Sequence, residues 1–160
     1  MGEQEGVNPT DDVANDETVL RLTWWPQDFD TVTGDLLPVA FRREDLSGPG
    51  NGVSVDRKQL ARREVVAKVA EEQKPKNPEY RVNPYLAASD VRLIRSAAGV
   101  AGPGIFLVAA EPIKDVNPAH AHISSRRSRT KSEMNEARLE LLSQFQKPVA
   151  FDKHFAPAAA

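Results

Sequence analysis

Two of the three histidines of this chain, His120 and His122, stand two residues apart in a stretch with the pattern of a β-strand. Residues two apart on a strand point to the same face, so both imidazoles and the hydroxyl of Ser124 are expected side by side. Paired imidazoles can bind a divalent metal or transfer protons, because histidine titrates near neutral pH. This pair is the first candidate site in the sequence.

Three interpretations of the histidine pair stay open. A metal site needs a third ligand, and His154, Glu111 and Asp115 offer one at no fixed spacing from the pair. His122 and Ser124 match half of the His-x-Ser signature of two-histidine phosphoesterases, but the chain lacks a second copy. We favour the third interpretation, in which both rings are ordinary residues of a sheet. No metal and no cofactor is therefore predicted.

Residues 52–57, which read Gly-Val-Ser-Val-Asp-Arg, form the second candidate site. The sequence predicts that a short strand ends here and a helix begins, with Asp56 as N-cap and Gln59 three residues later. A helix N-terminus can bind an anion, and Arg57 can contact phosphate or carboxylate. Because a carboxylate at the N-cap competes with such an anion, structural capping by Asp56 is the favoured interpretation.

Four basic side chains follow the histidines and could contact the phosphates of RNA or DNA. They are Arg126, Arg127, Arg129 and Lys131. No aromatic residues are interleaved with them for base stacking. Nucleic acid is therefore a partner that the sequence allows but does not favour.

The composition limits the class of protein. The chain has 160 residues, a net charge of −2 and no cysteine, so disulfides, zinc–thiolate sites and thiol catalysis are excluded. The absence of cysteine permits a reducing compartment, so cytoplasm is the expected location. No stretch reaches the roughly 18 apolar residues of a membrane span, so a soluble protein is expected. Residues 1–18 carry six acidic side chains and no basic one, which leaves 21 basic against 17 acidic residues elsewhere. That excess is too mild to argue for nucleic acid.

Composition and hydrophobic patterning also predict the domain organisation. An acidic, disordered tail is expected over residues 1–17, because this segment lacks large apolar residues that could offset its ordering entropy. A single domain is expected over residues 18–155, followed by a frayed end over residues 156–160.

The helices and strands that must position the candidate residues are predicted from the hydrophobic periodicity and from the residues that end helices and strands. Strands are predicted at residues 19–25, 37–42, 53–55, 91–95, 105–110 and 117–125, and helices at residues 57–74 and from Thr130 towards Pro148. An irregular connection is expected over residues 75–88. The uniformly apolar residues 105–110 are expected at the centre of the sheet, in a hairpin with residues 91–95. This order predicts an α+β fold, in which two helices pack against a mostly antiparallel sheet.

These segments together resemble a group of short bacterial proteins without an assigned activity. The shared features are a strand around Phe41, the residues 52–57 and a His-Ala-His-Ile stretch within residues 117–123. The resemblance covers about residues 37–124 and implies a bacterial origin. The positions that it shares with the group are Ser54, Asp56, Arg57 and His120. His122 departs from it, because members of the group often have an acidic residue there.

We predict a small binding or accessory module for an anionic ligand or a protein partner. The residues predicted to bind the ligand are Arg42, Asp56 and His122. The alternative is a phosphodiesterase-like or nuclease-like enzyme, in which His120 transfers a proton, Arg57 contacts phosphate and Ser54 orients the reacting groups. An enzyme should gather these last three side chains in one concave pocket, whereas an accessory protein need not.

Overall fold

The computed structural model describes residues 7–99 and 102–156 and shows an α+β fold, as predicted. The strands are β1 (Thr18–Trp25), β2 (Val53–Arg57), β3 (Asn83–Asp90), β4 (Ala98–Gly99), β5 (Gly102–Pro103), β6 (Phe106–Ala110), β7 (His120–Ser125) and β8 (Val149–Ala150). The α-helices are α1 (Arg63–Gln73), α2 (Val91–Ser96), α3 (Lys131–Gln144) and α4 (Phe151–His154). Short 3-10 turns span Pro38–Ala40, Arg43–Leu46 and Lys74–Lys76.

Six strands form one antiparallel sheet in the order β6-β7-β2-β1-β3-β8, and β4 pairs with β5 in a separate small sheet. The pairing of β1 with β3 extends along all eight residues of β1. Within the described chain, β1 and β2 pair over a much shorter register, with Val19 opposite Arg57 and Leu20 opposite Asp56. The two central strands therefore separate after Leu20 and leave a split in the sheet.

The two faces of the sheet are covered differently. The first face carries the main core, in which Val55 and Ile123 pack with residues of the 3-10 turns, α2 and α3. On the second face, Leu20 of β1 and Leu86 of β3 pack against Val66 of α1 and residues of α4. On that same second face, β2 and β7 present polar side chains that are exposed or half-buried. The helices thus leave room beside the candidate residues.

Two of the predicted strands are wrong. Residues 37–42 contain a 3-10 turn that begins at Pro38, because proline fixes φ and lacks the N–H that a strand would use. Residues 91–95 belong to α2, in which Val91 and Ile94 are buried three positions apart on one helical face. The neighbouring strand is β3, which begins inside the stretch predicted to be an irregular connection.

One of the two predicted capping boxes is wrong and the other is confirmed. The helix predicted over residues 57–74 begins at Arg63, and Asp56 lies within β2, where it caps no helix. At the start of α3, Thr130 Oγ1 accepts a hydrogen bond from Glu133 N at 3.2 Å, and Glu133 Oε1 accepts one from Thr130 N at 3.0 Å. The two sequence patterns look alike, but at Asp56 strand pairing on both sides keeps the chain extended.

The apolar stretch at residues 105–110 forms β6, but its predicted position is wrong. β6 is an edge strand that pairs with β7, and it forms no hairpin with residues 91–95. Phe106 and Val108 point into the main core, while Leu107 and Ala109 on the other face are only partly buried. Apolar residues on both faces therefore do not prove that a strand is central.

Parts of the two predicted tails, residues 1–6 and 157–160, lie outside the described residues. Residues 7–17, which composition predicts to be disordered, lie on the domain, with Val13 and Glu17 buried. The contacts of this segment are the buried Val13, the Arg57–Glu17 ion pair and hydrogen bonds from Arg57 to main-chain oxygens. The predicted disorder of residues 1–17 stays a prediction.

Candidate functional site

The register between β2 and β7 places four polar side chains on one face of the sheet. Ser54 lies opposite His122, and Asp56 lies opposite His120. Because alternate residues of a strand share a face, all four side chains project from the second face. His120 reaches diagonally across the pair, and its Nε2 lies 3.2 Å from Ser54 Oγ. The structure thus brings together two of the residues that the sequence singled out.

Glu111, which follows β6, holds both imidazole rings. The Nδ1 of His120 lies 2.9 Å from the main-chain oxygen of Glu111, and the Nδ1 of His122 lies 3.0 Å from its carboxylate. A carbonyl oxygen only accepts, so Nδ1 of His120 carries the hydrogen. In the neutral ring Nε2 is then the acceptor, and Ser54 donates its hydroxyl proton to it. From the sequence, Glu111 was only a candidate metal ligand.

Asp56 and Asn117 form a second polar pair beside His120. Asn117 Nδ2 donates to Asp56 Oδ1 at 2.8 Å, and Asn117 Oδ1 accepts from the main-chain N–H of Ala119 at 3.1 Å. Burial raises the pKa of Asp56, although the hydrogen bond from Asn117 and the charges of His120 and Arg21 oppose that rise. Asp56 therefore binds its proton more tightly than an exposed aspartate.

Arg21 fills the split between β1 and β2. Its Nη1 donates to the main-chain oxygen of Ser54 at 2.9 Å, and its Nη2 and Nε donate to that of Ala40 at 3.0 and 3.3 Å. The guanidinium also lies over the ring of Phe41, 5.7 Å from its centroid. Arg21 thus links β1 to β2 and to the 3-10 turn that ends at Ala40 across the split. Sequence reasoning missed it, because in the chain it is one polar residue of an alternating strand.

Two neighbouring clefts open at this split, with volumes of about 230 and about 240 Å³. The polar residues of the first are Arg21, Ser54, Asp56, Gln73, Arg81, Asn117 and His120. The second shares Arg21 and Arg81 with the first and adds Arg42. We call the two clefts together the arginine groove, because Arg21, Arg42 and Arg81 line it.

Arg57 lies on the opposite face and takes no part in this site. It is fully buried, and its Nε and Nη2 donate to the carboxylate of Glu17, each at 2.8 Å. It also donates to main-chain oxygens of Asn8, Pro9, Asp11 and Asp12. The prediction that Arg57 joins His120 and Ser54 is therefore wrong. One residue along a strand reverses the face, and Arg57 follows Asp56 by one.

The Arg57–Glu17 pair also changes the titration of the acid. Burial raises the pKa of Glu17, but hydrogen bonds from Arg57 and from the main chain of Ala14, together with the charge of Arg57, outweigh burial. The pKa of Glu17 consequently lies below its ordinary value. The pair is structural and anchors residues 7–17.

The remaining candidate residues are scattered. His122 is half-buried against Glu111, and Ser124, although on the same face, is buried. His154 lies on α4 with its ring edge-on against Phe155, their centroids 4.6 Å apart. Among residues 7–99 and 102–156, no group of three or more His, Asp or Glu side chains is arranged to hold a metal ion.

The basic segment after β7 is partly engaged with the protein itself. Arg129 is buried, and its Nε donates to Ser125 Oγ at 3.0 Å. Arg126 donates to a main-chain carbonyl at 2.8 Å, and Arg127 pairs with an acid of α3 at 3.3 Å. The segment therefore does not present four unpaired charges to a nucleic acid.

Comparison with known proteins gives no match, whether with protein-family models, with curated proteins or with solved structures. The resemblance to short bacterial proteins therefore stays a prediction. Across the part of the chain that the structure describes, no helix combines the length and the apolar character that crossing a membrane requires.

Proposed function

We propose that this protein binds a small anionic ligand in the arginine groove. The observation that carries the proposal is the grouping of three guanidinium groups, those of Arg21, Arg42 and Arg81, along one groove. The guanidinium group matches the planar geometry of carboxylate and phosphate, to which it can donate two parallel hydrogen bonds. Ser54 and His120 add neutral polar groups at one end of the groove.

The charge balance of the arginine groove favours an anion. Its lining includes two carboxyl groups, those of Asp28 and Asp56. Asp28 accepts hydrogen bonds from the main-chain N–H of Trp24 at 2.9 Å and from the hydroxyl of Tyr80, so protein donors already satisfy it. Asp56 likewise accepts a hydrogen bond from Asn117 Nδ2 at 2.8 Å. Three positive charges therefore outweigh the acids.

Arg42 and Arg81 are the guanidinium groups best placed to contact the ligand. Arg42 is exposed, and within the described chain its side chain has no hydrogen-bonded partner. Arg81 donates to Gln73 through Nη1 alone, at 2.6 Å to Oε1 and 3.3 Å to the main-chain oxygen, so its outer edge is available. Arg21 is bonded on three nitrogens and serves mainly as a fixed charge.

Titration calorimetry with inorganic phosphate, sulfate and citrate tests the proposal. We expect at least one of these anions to bind, and Arg42→Ala and Arg81→Ala each to weaken that binding about tenfold, as for one charged hydrogen bond. Arg92→Ala is the matched control, because Arg92 is exposed on α2 and does not line the groove. Absence of binding at millimolar anion, or equal binding by all four proteins, would contradict the proposal.

A further inference from the structure

We propose that Ser54 is the nucleophile and His120 the general base of an ester-cleaving reaction at the end of the arginine groove. The inference rests on the proposed function, because the groove is what would hold the anionic part of the substrate. It goes beyond binding, since it assigns a covalent step to two residues that the register of β2 and β7 brings together.

The contacts of His120 have the order that nucleophile activation requires. Ser54 Oγ lies 3.2 Å from Nε2, which is within reach of proton transfer, and Nδ1 is held at 2.9 Å by the main-chain oxygen of Glu111. That carbonyl fixes the tautomer in which Nε2 is unprotonated and can accept the serine proton. A nucleophile bonded to a base, which is itself oriented by a third group, is the general arrangement of serine hydrolases.

The surroundings of Ser54 suit a reacting group. Its side chain is exposed and faces the cleft, and its main-chain oxygen is held by Arg21 at 2.9 Å. The hydroxyl is therefore accessible while its backbone is fixed. Arg81 lines the same cleft and supplies positive charge for an oxygen that becomes negative during attack. A structural serine would instead be buried, with no open cleft beside its hydroxyl.

The reaction proceeds in two balanced steps. Ser54 Oγ attacks the ester carbonyl carbon as its proton passes to His120 Nε2. The bond from that carbon to the alkoxy oxygen then breaks, and the proton leaves with the alcohol. Water next attacks the acyl–Ser54 ester, giving a proton to Nε2 that returns to Ser54 Oγ as the carboxylic acid departs. No oxidant or reductant is consumed.

The substrate class follows from the groove. A small acyl group fits a cleft of about 230 Å³, and an anionic substituent on the acyl chain would contact Arg81. We therefore expect 4-nitrophenyl hemisuccinate to be cleaved faster than the neutral 4-nitrophenyl acetate. Arg81→Ala should remove that preference, and it should slow cleavage of both esters because Arg81 also faces the oxygen that becomes negative. Equal rates with the two esters in the unsubstituted protein would overturn the assignment of an anionic substrate.

Labelling with a fluorophosphonate tests the nucleophile directly. Mass spectrometry should locate one adduct, on Ser54. Ser54→Ala should abolish labelling, and His120→Asn should slow the labelling reaction about 100-fold, which is a typical contribution of a general base. Ser143→Ala is the control, since Ser143 is exposed on α3 away from the groove. Ser54 is exposed, so its truncation leaves the fold intact, and urea unfolding of each variant verifies this.

Phosphate binding measured on the same samples separates the two proposals. Binding without labelling of Ser54 would overturn the nucleophile and leave the proposed function standing. Labelling of Ser54 that does not depend on His120 would also overturn the assigned pair. Neither binding nor labelling would overturn both. Labelling that depends on His120, with phosphate binding lost in Arg81→Ala, would support both.

Discussion

Asp56 and Arg57 are neighbours in the chain, yet the sheet sends their side chains to opposite faces. Asp56 faces the arginine groove and is paired with a neutral amide, that of Asn117, so burial dominates its titration. Arg57 faces the main core and is paired with an opposite charge, that of Glu17. The two neighbours therefore have different surroundings: Arg57 is fully buried beside an opposite charge, whereas Asp56 is partly buried beside an amide.

The raised pKa of Asp56 predicts a pH dependence that Asp56→Asn should remove. The folded protein holds the proton more tightly than the unfolded chain, so stability is fully present below the ordinary aspartate pKa and is lost as pH rises through the raised pKa. The asparagine keeps an acceptor for Asn117 and never ionises. As pH rises above about 4, the ordinary aspartate pKa, Asp56→Asn should therefore gain free energy of unfolding relative to the unsubstituted protein.

Urea unfolding of the two proteins across that range measures the difference. Glu17 contributes with the opposite sign, because its lowered pKa gives stability that is lost as pH falls. Since Glu17 is present in both proteins, its contribution cancels in the comparison. A difference that is constant with pH would show that Asp56 titrates as it does in the unfolded chain, and a difference that shrinks as pH rises would show a lowered pKa. Either result would contradict the prediction.

The Arg57–Glu17 pair predicts a strong asymmetry between single and double substitutions. Arg57→Met leaves a buried carboxylate without its partner, which typically costs about 3–5 kcal/mol of unfolding free energy. The double variant Arg57→Met/Glu17→Met removes both charges and should recover much of that loss. Urea unfolding of both single variants and the double variant gives the coupling energy. Single costs below about 1 kcal/mol would indicate a solvated pair.

Among the elements, β2 and β7 approach each other closely where β2 begins. Gly52 immediately precedes β2, and a Cβ built on it would lie 2.9 Å from Cβ of His122 and 3.0 Å from its Cγ. The first of these atoms is fixed by the backbone of β7. Glycine is needed here for close approach of the two chains rather than for an unusual backbone angle.

Gly52→Ala should therefore destabilise the fold by about 1–3 kcal/mol, the usual cost of forcing atoms into a packed site. Gly50→Ala is the matched control, because a Cβ at Gly50 meets no atom within 4 Å. Both substitutions reduce the entropy of the unfolded chain alike, so the difference between them isolates the contact with His122. Equal unfolding midpoints for the two variants would mean that β7 yields without cost.

The elements also show which sequence patterns are reliable. The period of two predicted β1 and β7, and the capping box predicted the start of α3, because each pattern describes contacts within its own segment. The pattern at residues 91–95 fits a short strand and a single helical turn equally well. In the structure this segment is helical, and it buries Val91 and Ile94. Asp56 and Gln59 have the spacing of a capping box, but pairing with β1 and β7 retained the strand.

For the molecule as a whole, residues 7–17 contact the sheet domain through the buried side chains of Val13 and Glu17. Val13 is 3% exposed within the main core cluster, so Val13→Ala should cost about 2 kcal/mol of unfolding free energy, from two methyl groups and the cavity left behind. Val32→Ala is the control, because Val32 is 93% exposed, and it should change stability by less than about 0.5 kcal/mol. Equal losses of unfolding free energy for Val13→Ala and Val32→Ala would indicate that residues 7–17 are disordered, as composition predicts.

The sequence by itself determined the α+β class, the strands β1 and β7, the helix α3 and the shared face of His120 and His122. Periodicity and capping are local, so these features needed no knowledge of neighbours. Tertiary structure alone decided that β6 lies at an edge, that Arg57 is buried with Glu17, that Arg21 fills the split, and that His120 meets Ser54. Periodicity states which residues share a face, whereas strand order and register decide what that face meets.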